Sequence, residues 1–350
     1  MESTFAANTP DGRTTSEGPL AAVQALRRQL LQMVPVNQLT LMVDSTVLTS
    51  EDFQHQIASL LVTDCQLRAQ RPAPDYLRRF LKWYLDQVER TGTQALDETL
   101  LDLYLQFLVH KDPGTTPPAT TCYKTYILPK DTVGSTELAV TVQEDQTLVA
   151  HGTTGLRTWE AGLRLTEYVI WKAERLIRGK PVLELGSGTG LVGIWCGLLG
   201  ATSVTLSDYH PVVLDRLLTN VALNPPSDGS APATHVVTLD WLEWNDAKAE
   251  TYRGCTVLGA DLVYDPSIIP ALVQVLQSLV RVECTIVIAS TLRNPQTFAK
   301  FQEELAQGEL EAHVMTDIDE APRYFYHDQT SQLAEFRFLC IKQVMTCMDQ

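Results

Sequence analysis

The run Val182-Leu183-Glu184-Leu185-Gly186-Ser187-Gly188-Thr189-Gly190 reads as a buried strand entering a glycine-rich turn, and a helix follows from Leu191. Glycines let the backbone come close to a ligand and take positive φ. The spacing restricts which ligand. A dinucleotide turn needs G-x-G-x-x-G, yet Leu191 follows Gly190, and the Gly-Lys-Ser/Thr ending of a phosphate loop is missing. What stands is Glu-x-Gly-x-Gly-x-Gly. Asp208 closes the next strand, 22 residues after Gly186. A carboxylate there suits the two hydroxyls of a ribose better than a phosphate. Leu239-Asp240-Trp241 ends the strand after that, where an aromatic can cover a flat base while the acid accepts its amino group. The next strand ends Gly259-Ala260-Asp261-Leu262-Val263-Tyr264. An acid and a phenol at i and i+3 can hold an incoming amine and leave its lone pair free. Each feature has a plainer alternative: a tight strand–helix turn for the glycines, a helix N-cap for Asp208 ahead of Pro211, core packing for Trp241, and a solvated turn before Pro266 for Asp261 and Tyr264.

These residues need a frame, and the hydrophobic pattern supplies one. Strand-like runs fall at 123–128, 137–142 and 147–150, then at 181–185, 203–207, 234–239, 255–260, 284–290, 312–316 and 335–341. Helical stretches lie between the later strands, at 159–177, 191–199, 211–223, 267–279 and 295–306. Regular alternation of strand and helix predicts a doubly wound α/β sheet, in which ligands bind outside the carboxyl ends of the strands. Asp261 and Tyr264 then face the reacting end of the ligand. Ahead of this domain (123–350), residues 1–19 read as a disordered leader, 20–110 as a helical N-terminal module and 111–122 (KDPGTTPPATTC) as a linker. In the module, Leu20, Val23, Leu26, Leu30 and Met33 form an amphipathic stripe, Ser50 starts a helix, and 76–88 and 96–109 repeat the pattern. The Pro- and Ser-rich loop 224–233 has no assigned role.

Composition excludes several classes. Hydrophobic residues make up 45% of the 350, enough for a packed core. With 27 Lys and Arg against 42 Asp and Glu, the net charge is −15, which opposes a nucleic-acid partner. The same charge favours a cationic partner. The seven cysteines are scattered without a Cys-x-x-Cys pair, and read as reduced, mostly buried thiols rather than metal ligands. Residues 185–207 run 23 positions without a charge but contain six glycines, so we read a loop and buried helix rather than a membrane span.

Together, 184–190, Asp208, Leu239-Asp240-Trp241 and the Asp-Leu-Val-Tyr at 261–264 resemble the seven-strand protein-lysine methyltransferases, whose hallmark is Asp-x-x-Tyr after the fourth strand. The segments 151–159 (HGTTGLRTW) and 291–295 (TLRNP) resemble the elongation factor 2 lysine methyltransferase family, which also has a helical N-terminal extension. The resemblance implies a Rossmann-like seven-strand sheet and S-adenosyl-L-methionine as cofactor. It implies that Trp159, Gly186, Ser187, Gly188, Gly190, Asp208, Asp240, Trp241 and Ala260 bind that cofactor, with Asp261 and Tyr264 catalytic. It further implies methylation of a lysine on elongation factor 2 in the cytoplasm. No metal is implied, and a monomer is expected.

Methyl transfer to an amine requires alignment and a neutral nucleophile. A free lysine has a pKa of about 10.4, so on the order of one in a thousand is neutral near pH 7.4. Partial desolvation in a mouth walled by Tyr264 and Trp159 raises that fraction. No strong base is needed, since the proton can leave to water. Asp261 then serves as an orienting acceptor and Tyr264 as a second. Two alternatives stand beside this reading. One is a methyltransferase for a small molecule or nucleobase amine, for which Leu262 and Val263 do not match the usual Pro-Pro. The other is a catalytically silent binding module.

Overall fold

In a computed structural model of the chain, residues 18–69, 72–92, 96–109, 121–147, 149, 152–225, 233–328 and 335–344 are described. The leader up to residue 17, the linker up to residue 120 and most of the 224–233 loop lie outside them. The chain divides into two compact units, 1–126 and 127–350.

The first unit is helical: α1 (Pro19–Leu31), α2 (Ser45–Leu48), α3 (Glu51–Thr63), α4 (Cys65–Ala69), α5 (Pro74–Glu89) and α6 (Glu98–Val109). Prolines at the starts of α1 and α5 fix φ where no amide partner is needed. The Ser50 hydroxyl caps α3 by accepting from the Phe53 amide. Val23, Leu26 and Leu30 are buried as the stripe predicts, with Phe53, Ile57, Phe80 and Tyr84 also in the core. Leu20 is exposed instead. It shares its face with the buried Arg27 and Leu31 but sits in the first turn, at the end of the helix.

Strand β1 (Thr121–Leu128) takes in the last two residues read as linker, and pairs with β2 (Leu138–Asp145) as a separate two-stranded sheet. The run 147–150 does not form a strand at its described residues 147 and 149. β2 instead extends to Asp145, whose amide donates to the Leu156 carbonyl. Then come α7 (Glu160–Trp171), α8 (Ala173–Leu176), β3 (Pro181–Leu185), α9 (Leu191–Leu198), β4 (Ser203–Asp208), α10 (Pro211–Leu223) and β5 (Ala233–Thr238). The rest is α11 (Asp246–Glu250), β6 (Thr256–Ala260), α12 (Ile269–Arg281), β7 (Thr285–Thr291), α13 (Pro295–Gln307), β8 (Leu310–Val314) and β9 (Phe336–Gln343).

The seven-stranded sheet has the order β5-β4-β3-β6-β7-β9-β8. β3 to β7 are parallel, and β9 runs antiparallel between β7 and β8. The fold is therefore the expected Rossmann-like α/β class. Along β3, Leu183 and Leu185 enter a core built with Leu272, Leu276 and Phe301 of α12 and α13. Alternation turns Val182 and Glu184 to the other face, where α9 packs on β3 and β4 and α7 on β6 and β7. From β3 the chain winds outward to β4 and β5, then returns to place β6 on the opposite side. That reversal leaves a crevice at the carboxyl ends of β3 and β6. The register sets Leu185 beside Ser207 and Gly259, so the loops after these strands open at one level.

The charge-free stretch 185–207 forms the glycine loop, α9 and most of β4, and no helix among the described residues is long and apolar enough to cross a membrane. Of the six described cysteines, Cys122, Cys196 and Cys255 are buried. Cys284 and Cys340 are half-buried and Cys65 is exposed.

Candidate active site

The crevice is a cavity of about 480 Å³, and it gathers most of the residues singled out from sequence: Trp159, Gly186, Ser187, Gly188, Asp208, Asp240, Trp241, Ala260, Asp261 and Tyr264. Gly190 is not among its lining residues. It opens α9 at φ +79°, and a Cβ there would meet the Leu217 side chain at 2.7 Å. Its place is in the turn and the packing against α10.

The glycine loop is fastened from below. The Ser187 amide donates to the Ser207 carbonyl at 2.8 Å, and the Ser207 amide returns a bond to Ser187 Oγ at 2.9 Å. The Ser187 and Ser207 hydroxyls both donate to the Glu184 carbonyl. Gly188, at φ +53°, has the Gly155 carbonyl oxygen 3.0 Å from where a Cβ would stand. A side chain there would press the 152–158 loop away. That loop is tied back by the hydroxyl pair Thr158–Thr189, 2.8 Å apart.

Glu184 is buried and accepts from the Gly193 amide at 2.9 Å. Burial, reinforced by the neighbouring Asp208 charge, pushes its carboxyl up to about 8 despite the bonds from Gly193 and Ser187. Asp208 Oδ1 accepts from the amides of Tyr209 and His210, at 2.9 and 3.1 Å. It does not cap α10, whose Val213 amide bonds the His210 carbonyl instead. Oδ2 receives one long bond, 3.4 Å from the Gly188 amide. Burial raises the Asp208 carboxyl, with the three amide bonds opposing. Asp240 Oδ1 accepts from the Leu242 amide at 2.9 Å, starting the short turn Trp241–Glu243. Trp241 is both cavity wall and core, packed against the α12 cluster.

Trp159 stands at the N-cap position of α7 without a side-chain capping bond, and its indole Nε1 donates to the Thr154 carbonyl at 3.0 Å. Tyr264 is 58% exposed and lines the cavity together with Thr154. Its partial burial, with Tyr209, Asp208 and Asp265 nearby, raises its phenol. Asp261 holds φ +53°, unusual for a non-glycine residue. Its carboxylate bonds Thr291 and Arg293. In the sequence, Arg293 stands out only as part of the 291–295 segment. Its position just past a strand that neighbours β6 was the available signal. Tyr209 and Leu242 also line the cavity as exposed residues, and no sequence motif marks them.

The fold and this cavity define a Rossmann-like α/β protein with a largely apolar ligand site into which several acids point. A family model described as lysine methyltransferase matches residues 136–307. The chain is 34% identical over 247 residues to protein-lysine N-methyltransferase EFM3 of Chaetomium thermophilum, covering 66% of this chain and 72% of that protein. It is 32% identical to protein-lysine N-methyltransferase EEF2KMT of Bos taurus, over 75% of this chain and 79% of the relative. The Homo sapiens protein of that name is 33% identical, over 67% and 71%. The chain belongs to the lysine methyltransferase family and is a protein-lysine N-methyltransferase.

Proposed function

We propose that the cavity binds S-adenosyl-L-methionine and that the methyl acceptor is a lysine of elongation factor 2 in the cytoplasm. The cofactor supplies a methyl group carried on a positively charged sulfur. The lining fits such a ligand. At about 480 Å³ the cavity falls within the usual range for small-molecule sites, roughly 300–1,000 Å³. Asp208 keeps Oδ2 largely unpaired while two amides pin Oδ1, the arrangement a ribose diol requires. Trp241 and Asp240 suit a flat base with an amino group, and Gly186, Ser187 and Gly188 bring backbone close to it. Ala260 keeps the strand end small beside the reacting centre.

The observation that carries this reading is the common edge. Asp208 and the Asp261–Tyr264 pair line one cavity, with the glycine loop between them. Trp159 and Tyr264 form its apolar mouth, where an aliphatic side chain loses water before its amine reaches the interior. Asp261 orients the amine, and Tyr264 offers a second polar contact. The assignment of elongation factor 2 rests on the likeness of 151–159 and 291–295 to that family and on the name EEF2KMT borne by relatives.

The test is transfer of labelled methyl from S-adenosylmethionine into an extract of cells lacking this protein, with Asp261→Asn as control. Label in one large band, mapped by mass spectrometry to a lysine of elongation factor 2, is the expected result. Label on another protein would replace the acceptor, and label in RNA or small molecules would overturn the reading.

A further inference from the structure

Two groups at the cavity mouth suit a cationic amine: the Asp261 carboxylate and the face of the Trp159 indole. One guanidinium of the chain engages both. Arg293 Nη2 donates to Asp261 Oδ2 at 2.9 Å, and the guanidinium carbon stands 4.9 Å from the Trp159 ring centroid. Asp261 is further fixed by the Thr291 amide on Oδ1 at 2.7 Å and the Thr291 hydroxyl on Oδ2 at 3.2 Å. Its own amide donates to the Ala289 carbonyl. The carboxylate is 8% exposed, whereas the Arg293 side chain is 47% exposed.

This pairing bears on the acceptor's protonation. A bare carboxylate beside an incoming lysine stabilises the ammonium form, and an ammonium has no lone pair to attack with. A guanidinium stays charged across the working pH range, so a carboxylate paired with one adds no net charge at the mouth. The carboxylate still has acceptor capacity, because three donors occupy about four lone-pair positions. Other ionisable groups also face the cavity. Glu184 lies on β3, Asp208 and Tyr209 follow at the end of β4, and Asp240 follows β5. Tyr264 and Asp265 continue from Asp261, and Arg157, ahead of α7, donates to the Gln146 carbonyl.

We infer that Arg293 is a positioning residue that neutralises Asp261, so that Asp261 accepts a hydrogen bond from the acceptor amine without holding that amine protonated. The inference rests on the reading that the amine enters beside Asp261. The amine's proton leaves to bulk water before attack, and Arg293 exchanges none.

The experiment is kcat against pH for the full-length chain, with unmethylated elongation factor 2 as acceptor. If the wild type transfers nothing to that factor, whichever protein band takes label in the extract replaces it. The acid limb of kcat reports ionisation within the complex. Arg293→Gln is expected to move that limb upward by about one pH unit. Arg293→Lys should leave it nearly in place. Asp261→Asn combined with Arg293→Gln carries no unpaired charge, and its limb should return to the wild-type position even if turnover is lower. Cofactor affinity and melting temperature confirm that each variant folds, and the double variant serves if Arg293→Gln alone does not. An Arg293→Gln enzyme slowed equally at every pH would overturn the inference and leave Arg293 a packing role. Asp261→Asn and Arg293→Gln both without effect on kcat would overturn the reading beneath it.

Discussion

Asp208 Oδ2 stands 3.4 Å from the Gly188 amide, while its other oxygen is taken by two amides of its own loop. The carboxylate is thus aimed by local backbone and left with spare acceptor capacity at the glycine loop. Replacing Asp208 by Asn keeps the shape but removes charge and some acceptor capacity. Hydrogen bonds to a charged group contribute about 1.5–3 kcal/mol, so S-adenosylmethionine affinity should fall roughly ten- to a hundredfold by calorimetric titration. Unchanged affinity would remove Asp208 from the ribose contact.

Asp261 predicts the opposite division. It makes its bonds to Thr291 and Arg293 at the mouth. Asp261→Asn should therefore leave cofactor affinity within a factor of about two while turnover drops on the order of a hundredfold, the cost of a misplaced reactant. Equilibrium binding and single-turnover rates on the same preparation separate the two. A parallel loss of cofactor affinity would contradict the assignment.

The contrast between these two acids shows what sequence could convey. Asp208 was found because strand ends are legible: Pro211 opens the following helix where expected, and β4 ends one residue beyond its predicted bound. Local punctuation by Gly and Pro set the bounds of β3 and α10 in the same way. The Asp261–Arg293 pair spans 32 residues and two strands. No periodicity reports which side chains two adjacent parallel strands bring together. Asp261 itself was legible as a strand-end acid, but that its carboxylate is already paired was not. The same limit hid the contacts of α7 with residues 324–328, which lie more than 150 positions away.

Glu184 gives a stability prediction. Its carboxyl rises from an ordinary 4.5 to about 8, chiefly through burial. Between those values the folded protein holds a proton that the unfolded chain has released. Stability therefore falls as pH rises through that window, by up to a few kcal/mol on the order of the shift. Asp208, raised in the same direction, adds to the fall. Glu184→Gln should flatten the decline in melting temperature between about pH 5 and pH 8. A decline of equal steepness in that variant would mean that Glu184 is not its source.

His327 supplies the last test. Its Nδ1 lies 2.8 Å from Glu160 Oε2 and its Nε2 lies 3.0 Å from Glu167 Oε1. A ring bonding two carboxylates must carry hydrogen on both nitrogens, so it is an imidazolium. Burial pulls its pKa down, but the bonds and charges of Glu160 and Glu167 prevail and the net shift is upward from 6.5. For Glu167 burial pulls upward, and the His327 bond and charge, the Phe325 amide and Arg164 turn the net shift downward from 4.5. Glu160 is the first residue of α7, directly after Trp159, so this cluster ties residues 324–328 to the helix start that carries the ring at the mouth. The signs follow. The histidine's contribution is complete below 6.5 and is lost as pH rises through its folded value, whereas the glutamate's is lost as pH falls below its ordinary 4.5. His327→Gln should therefore cost most near pH 6, about 3 kcal/mol for breaking a buried pair, and progressively less toward pH 9. Denaturant melts at both pH values measure the difference, and an equal cost at each would show that His327 is not charged in the folded protein.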